Sequence, residues 1–176
     1  VVPAMSDVRR LPDAYPEDGR VRGELRVVAA RGEFEPASFL LHSMEVRRGV
    51  ELAVSDLTTE GGAVMSAKQV DVKVVKVWFQ NANAWISYFS DPGLALVPEL
   101  LLHDENRVHV DLERVANDAR VKDADGERRV WMSPPGDLEP SAFDPLRLPF
   151  ADADTLQPVA LDASAFKQFF ATVHVP

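Results

Sequence analysis

Two tryptophans with three amides between them mark residues 76–89, KVWFQNANAWISYF: Trp78, Gln80, Asn81, Asn83 and Trp85. Flat indole faces stack on the C–H groups of a pyranose, and neighbouring carboxamides bond its hydroxyls, so this stretch carries the chemistry of a sugar site. Apolar surfaces with a few placed polar groups are the general form of small-ligand sites. With the third tryptophan, the candidate binding residues are Trp78, Gln80, Asn83, Trp85 and Trp131. The same rings also serve to plug the end of a β-sandwich or to dock on a neighbouring domain, and that is the plainer expectation.

Hydrolysis of a glycosidic bond needs only two carboxylates. Glu33 and Glu35 in RGEFEP lie on one side of an extended chain together with Arg31. Like charges so placed repel unless a cation joins them, so a salt-bridged surface cluster is expected there. Glu99 and Asp104 are further candidates, with no geometric reason to meet. The four histidines (His42, His103, His109, His174) are scattered, and HDENRVH at 103–109 reads as a polar turn between strands. Asp123 and Asp125 lack the continuing ligand spacing of a calcium loop. No nucleophile elbow, zinc-protease, phosphate-loop or dinucleotide motif occurs. No catalytic residue, metal ligand or cofactor is therefore assigned.

Positioning these residues falls to strands. Period-2 alternation runs through LRVVAA (25–30), ASFLLHS (37–43), VELAVSD (50–56), VDVKVVKVWF (70–79), RVHVDL (107–112) and FKQFFATVHV (166–175). No segment has sustained helical periodicity. PELLLHDENRV after Pro98, and AMSDVRRL, are each expected to form one helical turn. The fold class is all-β: an antiparallel β-sandwich, jelly-roll or immunoglobulin-like, with a long Pro-rich loop. In ARVKDADGERRVWM, Asp125-Gly126 is expected to be the two-residue turn of a hairpin. That register sets Val121 opposite Val130 and Arg120 opposite Trp131, a cation–π pair. The phase of the 70–79 strand slips between Val74 and Val75. A β-bulge there keeps the apolar set inward and turns Lys76, Trp78 and Gln80 outward. Gln168 and His174 read as the polar face of the last strand.

At 176 residues the chain is read as one domain, 1–176, able to bury a substantial core. Residues 133–158 hold almost half of its 13 prolines and are expected to be a loop or crossover. The acidic ADADT within them is read as solvated. With 28 acidic residues against 19 basic and a net charge of −9, nucleic acid is not an expected partner. No apolar run reaches the length of a membrane span. The absence of cysteine excludes disulfides and thiolate chemistry.

Five stretches in order, AARGEFEPASFLL, VSDL, VVKVWFQ…AW, LVPELLLHDE and QFFATVHVP, resemble the N-terminal β-sandwich of multidomain bacterial proteins of glycoside-hydrolase type. The family concerned is the family-123-type β-N-acetylgalactosaminidases and their relatives. The resemblance implies a non-catalytic accessory sandwich, the N-terminal part of a longer, secreted or periplasmic chain, whose partner is the catalytic barrel of the same parent, with a glycan as the further candidate partner. In that family the catalytic carboxylates belong to the barrel, so none transfers to a position here, and the chain itself is not expected to be an enzyme. Two alternatives stand beside this: a carbohydrate-binding module using the surface Trp, Asn and Gln residues, and a small sandwich-fold hydrolase or lyase using Glu33, Glu35 or Glu99.

Overall fold

The computed structural model describes residues 1–4, 10–17, 19–58, 60–81, 94–133 and 150–176, with the side chains of 81, 123 and 133 set aside. Asn83, Trp85, the AMSDVRRL turn and most of the Pro-rich stretch lie outside the described residues. Eleven strands carry the described chain: β1 (Phe34–Ser43), β2 (Arg47–Val50), β3 (Leu57–Thr58), β4 (Val64–Met65), β5 (Val70–Asn81), β6 (Leu94–Leu102), β7 (Val108–Asp111), β8 (Ala116–Asp123), β9 (Gly126–Ser133), β10 (Val159–Leu161) and β11 (Ala165–His174). The fold is all-β, as the alternation predicts, with every ladder antiparallel. Its larger sheets are a four-stranded one, β1-β11-β5-β6, and a three-stranded one, β7-β8-β9. Two small pairs, β10-β2 and β3-β4, complete the set.

The core shows that these sheets face one another as in a β-sandwich. Val74 (β5), Leu102 (β6), Val108 (β7), Val159 (β10) and Phe169 (β11) are all buried and in mutual contact. Phe39, paired opposite Phe169, stacks on it at 5.2 Å. Each such side chain contributes about 1.5–3 kcal/mol by leaving water. The sheets are also joined by polar bonds. Asn117 of β8, 1% exposed, accepts a hydrogen bond from the Phe79 N–H (2.9 Å) and donates one to the Phe79 carbonyl (2.8 Å). Its carboxamide thus supplies the pair of bonds that a neighbouring strand would make. β5 needs that substitute, because its ladder to β11 ends at the Val74–Phe169 pair while β5 itself runs on to Asn81.

Several expectations need correction. LRVVAA forms no strand: Val28 is 92% exposed, and the free side of β1 is met instead by Val2, bridged to Ser38. Strand propensity has no effect without an edge to pair with. Of VELAVSD only Val50 is in a strand. Pro98 sits inside β6, opposite Val77, and the helical turn expected in PELLLHDENRV comes at the far end of that stretch, as a 3-10 turn at Glu105–Arg107. The proline is tolerated because β6 is an edge strand and the ladder is irregular at that point. The bulge expected in β5 between Val74 and Val75 is on the partner: the register steps between Lys76 and Val77, leaving Glu99 of β6 as the surplus residue. Val74 and Val75 are both buried.

The hairpin turns one residue earlier than expected. Asp123 pairs with Gly126, so Ala124 and Asp125 form the loop and Gly126 (φ 120°) takes the left-handed conformation. Arg120 therefore faces Arg129, Val121 faces Arg128 and Trp131 faces Asp118. The expected Arg120–Trp131 pair does not form.

Candidate functional site

The tryptophan-centred residues are divided between the sheets. Trp78 and Gln80 are in the upper half of β5, opposite Val97 and Ala95, and both are half-buried. Trp131 is in β9, also half-buried, with the Arg114 guanidinium 5.9 Å from its ring centroid. That is within cation–π range and covers one ring face. The ladders align His109, Asp118 and Trp131 in one row across β7, β8 and β9. Asp118 is buried, His109 Nδ1 lies 2.8 Å from it, and Arg129 Nη1 is 3.3 Å away. An aromatic ring, a carboxylate, an imidazole and a guanidinium thus share the face of this small sheet.

A second cluster lies where β5 and β11 part. Past the Val74–Phe169 pair the two strands diverge, and the wedge between them is a cavity of about 450 Å³. Leu40, Val77, Leu96 and Phe166 give it apolar walls, and Lys76, Glu105, Lys167 and Gln168 polar ones. Lys167 Nζ donates to Glu105 Oε2, while Glu105 Oε1 accepts the Ala160 N–H (3.1 Å). The carboxylate is therefore used on both oxygens. Lys76, expected on the outward face, is instead half-buried here. Burial holds its ammonium below the ordinary lysine value, and nearby Lys167 adds to this against the opposing pull of Glu105 and Asp104. It makes no hydrogen bond or ion pair with any described residue. Gln168, expected on a polar strand face, is only 9% exposed. Its Nε2 donates to Ser38 Oγ (2.9 Å), and Ser38 Oγ donates to the Phe169 carbonyl (2.9 Å). Because the serine proton is spent on that carbonyl, the amide orientation follows: Oε1 is the spare atom, buried without a partner among the described residues.

Of the remaining candidates, Glu33 and the residues of HDENRVH hold the fold. Glu33 accepts the Ala30 N–H at 2.6 Å, closing its own turn. Arg31 does not join it, because the chain reverses at Arg31-Gly32, with Gly32 at φ 84°. HDENRVH is a polar turn between β6 and β7, as its composition predicts. His103 there ties three segments: Nε2 lies 2.6 Å from Asp71, Nδ1 2.7 Å from the Ala153 carbonyl, and its N–H donates to Asp152 at 2.6 Å. Asp152, from the ADADT expected to be solvated, also accepts the N–H groups of Asp104 and Ala153. It is an anchor, not a surface charge. Burial works to raise the Asp71 carboxyl, but hydrogen bonds from His103 and Lys73 outweigh it and hold the group below its ordinary value. Among the described residues no three His, Asp or Glu side chains gather as metal ligands would.

The cavity residues Lys76, Glu105, Lys167 and Gln168 escaped sequence reasoning. The one signal was a lysine in phase with Val72 and Val74, the inward set of β5. Compared with protein-family models, curated proteins and solved structures, the chain finds no match.

Proposed function

We propose that this chain is a non-catalytic accessory β-sandwich of a larger carbohydrate-processing protein, secreted or periplasmic, which supports or docks on a catalytic barrel. What carries the reading is the employment of the acidic side chains. Glu33, Asp71, Glu105, Asp118 and Asp152 each hold a backbone N–H or a cation of the fold. Groups so occupied are scaffold elements; hydrolysis of a glycoside needs two carboxylates facing one another across a substrate. The exposed apolar side chains Val21, Leu25, Val28 and Phe34, within one stretch of chain, give such a scaffold surface to bury against a neighbour.

A second reading, a carbohydrate-binding module, has its own support in the Trp131 row. A half-exposed indole with Asp118, His109 and Arg129 alongside offers a stacking face and bonding partners to a sugar. Affinity electrophoresis against soluble polysaccharides, with Trp131→Ala in parallel, separates the two. Migration unchanged across the panel is expected of the accessory scaffold. Retardation by one glycan, abolished in the variant, would replace it with the binding module.

A further inference from the structure

We propose that the Lys76 amine, in the wedge between β5 and β11, is a nucleophile that forms an imine with a small neutral aldehyde or ketone carrying an apolar body. The inference does not rest on the accessory role.

Register places the amine. The β5–β11 ladder runs to the Val74–Phe169 pair and stops. Continuing it by two residues sets Lys76 opposite Lys167, on the side that Val74 and Phe169 turn into the core. Like charges directly opposite one another destabilise paired strands, which gives the ladder a reason to open at this point. Both lysines line the cavity that results, but they are not equivalent. Lys167 is paired with Glu105, whose second oxygen is held by the Ala160 N–H. Lys76 is half-buried and has no hydrogen bond or ion pair with any described residue. A desolvated ammonium facing a second one is relieved by giving up its proton. Burial, and after it Lys167, act on Lys76 in that direction and prevail over the opposing pull of Glu105 and Asp104. The neutral amine, with its lone pair free, is the reactive form of lysine.

The rest of the lining selects the carbonyl compound. Arg10, Lys76 and Lys167 stand against Asp13, Glu105 and Asp162, with His109 the remaining ionisable group, so the wall favours no charged occupant. Leu40, Val77, Leu96 and Phe166 offer apolar contact. At about 450 Å³ the space is within the range of small-molecule sites, roughly 300–1,000 Å³. In the reaction the Nζ lone pair attacks the carbonyl carbon while the C=O π pair moves to oxygen. Both nitrogen protons pass to that oxygen, the C–O bond breaks, and water leaves a C=N bond behind. No oxidant or reductant is consumed.

The test is reductive trapping. The protein is treated with limiting 3-phenylpropanal and sodium cyanoborohydride, which fixes the imine as a secondary amine, and the alkylated lysines are quantified by peptide mass spectrometry. At about pH 7 Lys76 should react about tenfold or more faster than exposed Lys68 and Lys122. That advantage should shrink toward about pH 10, where the exposed lysines also shed their protons. Acetaldehyde, which lacks the apolar body, should show a several-fold smaller advantage. Lys167→Met removes the facing charge and frees Glu105 for Lys76, so it should slow the labelling of Lys76 several-fold. The comparison on the unaltered protein decides the matter if that variant does not fold. Lys76 reacting no faster than Lys68 and Lys122 would overturn the proposal. An advantage equally large for acetaldehyde would remove the wedge as a binding site and overturn it too.

Discussion

Removing the Asn117 carboxamide should be among the most costly single polar substitutions in the described chain. In Asn117→Ala, the Phe79 N–H and carbonyl both lose their partner, at a place where Phe79 is 8% and Asn117 1% exposed. A buried polar group left unsatisfied costs about 1–3 kcal/mol, so the two together amount to about 2–6 kcal/mol. Water entering the vacated space would bring the figure toward the lower end. Since a whole domain is stable by only about 5–15 kcal/mol, the variant should be visibly marginal. Asn117→Asp is the sharper probe. It keeps an acceptor for the Phe79 N–H but points a second oxygen at the Phe79 carbonyl, so it should rescue nothing at neutral pH. Arg120→Ala, on the exposed side of the same strand, should change stability by less than about 0.5 kcal/mol. Urea unfolding measures the cost, and hydrogen exchange at the Phe79 amide locates it. If Asn117→Ala lost less than about 1 kcal/mol and the Phe79 amide exchanged as slowly as before, the carboxamide would not be the clasp between β8 and β5.

Glu105→Gln keeps an acceptor for the Ala160 N–H but leaves the Lys167 ammonium unpaired at low exposure, and should destabilise by about 3 kcal/mol in the same urea assay. The Asp71 carboxyl is held below its ordinary value of 3.8, so the stability it contributes is complete above the unfolded carboxylate range. That contribution fades as pH falls through the lower folded value; acid titration of stability should show a slope in this window that Asp71→Asn flattens. Gly126→Ala forces a Cβ into φ 120° and should cost about 1–2 kcal/mol, read as a lowered melting temperature, although open space surrounds the position.

Legibility followed the physics of each element. β1, β5, β7 and β11 were readable because alternation persists along them and each has a strand to pair with. LRVVAA alternates equally well and stays unpaired, since no sequence pattern states whether an edge is vacant. β6 was hidden by Pro98, whose penalty disappears at an irregular point of an edge strand. In the hairpin, DADG permits two adjacent registers, and moving the loop from Asp125-Gly126 to Ala124-Asp125 exchanged the partners of Arg120 and Trp131. The cavity was least accessible to reading. Lys76, Glu105, Lys167 and Gln168 come from three distant parts of the chain and meet where β5 separates from β11, which is a property of the ladder's end rather than of any motif.

The accessory role is tested most directly by the coding sequence downstream of the Pro176 codon. The account predicts an open reading frame that continues through further strands into a barrel of alternating strands and helices with paired carboxylates. A stop codon directly after Pro176, or a continuation with no such barrel, would contradict it.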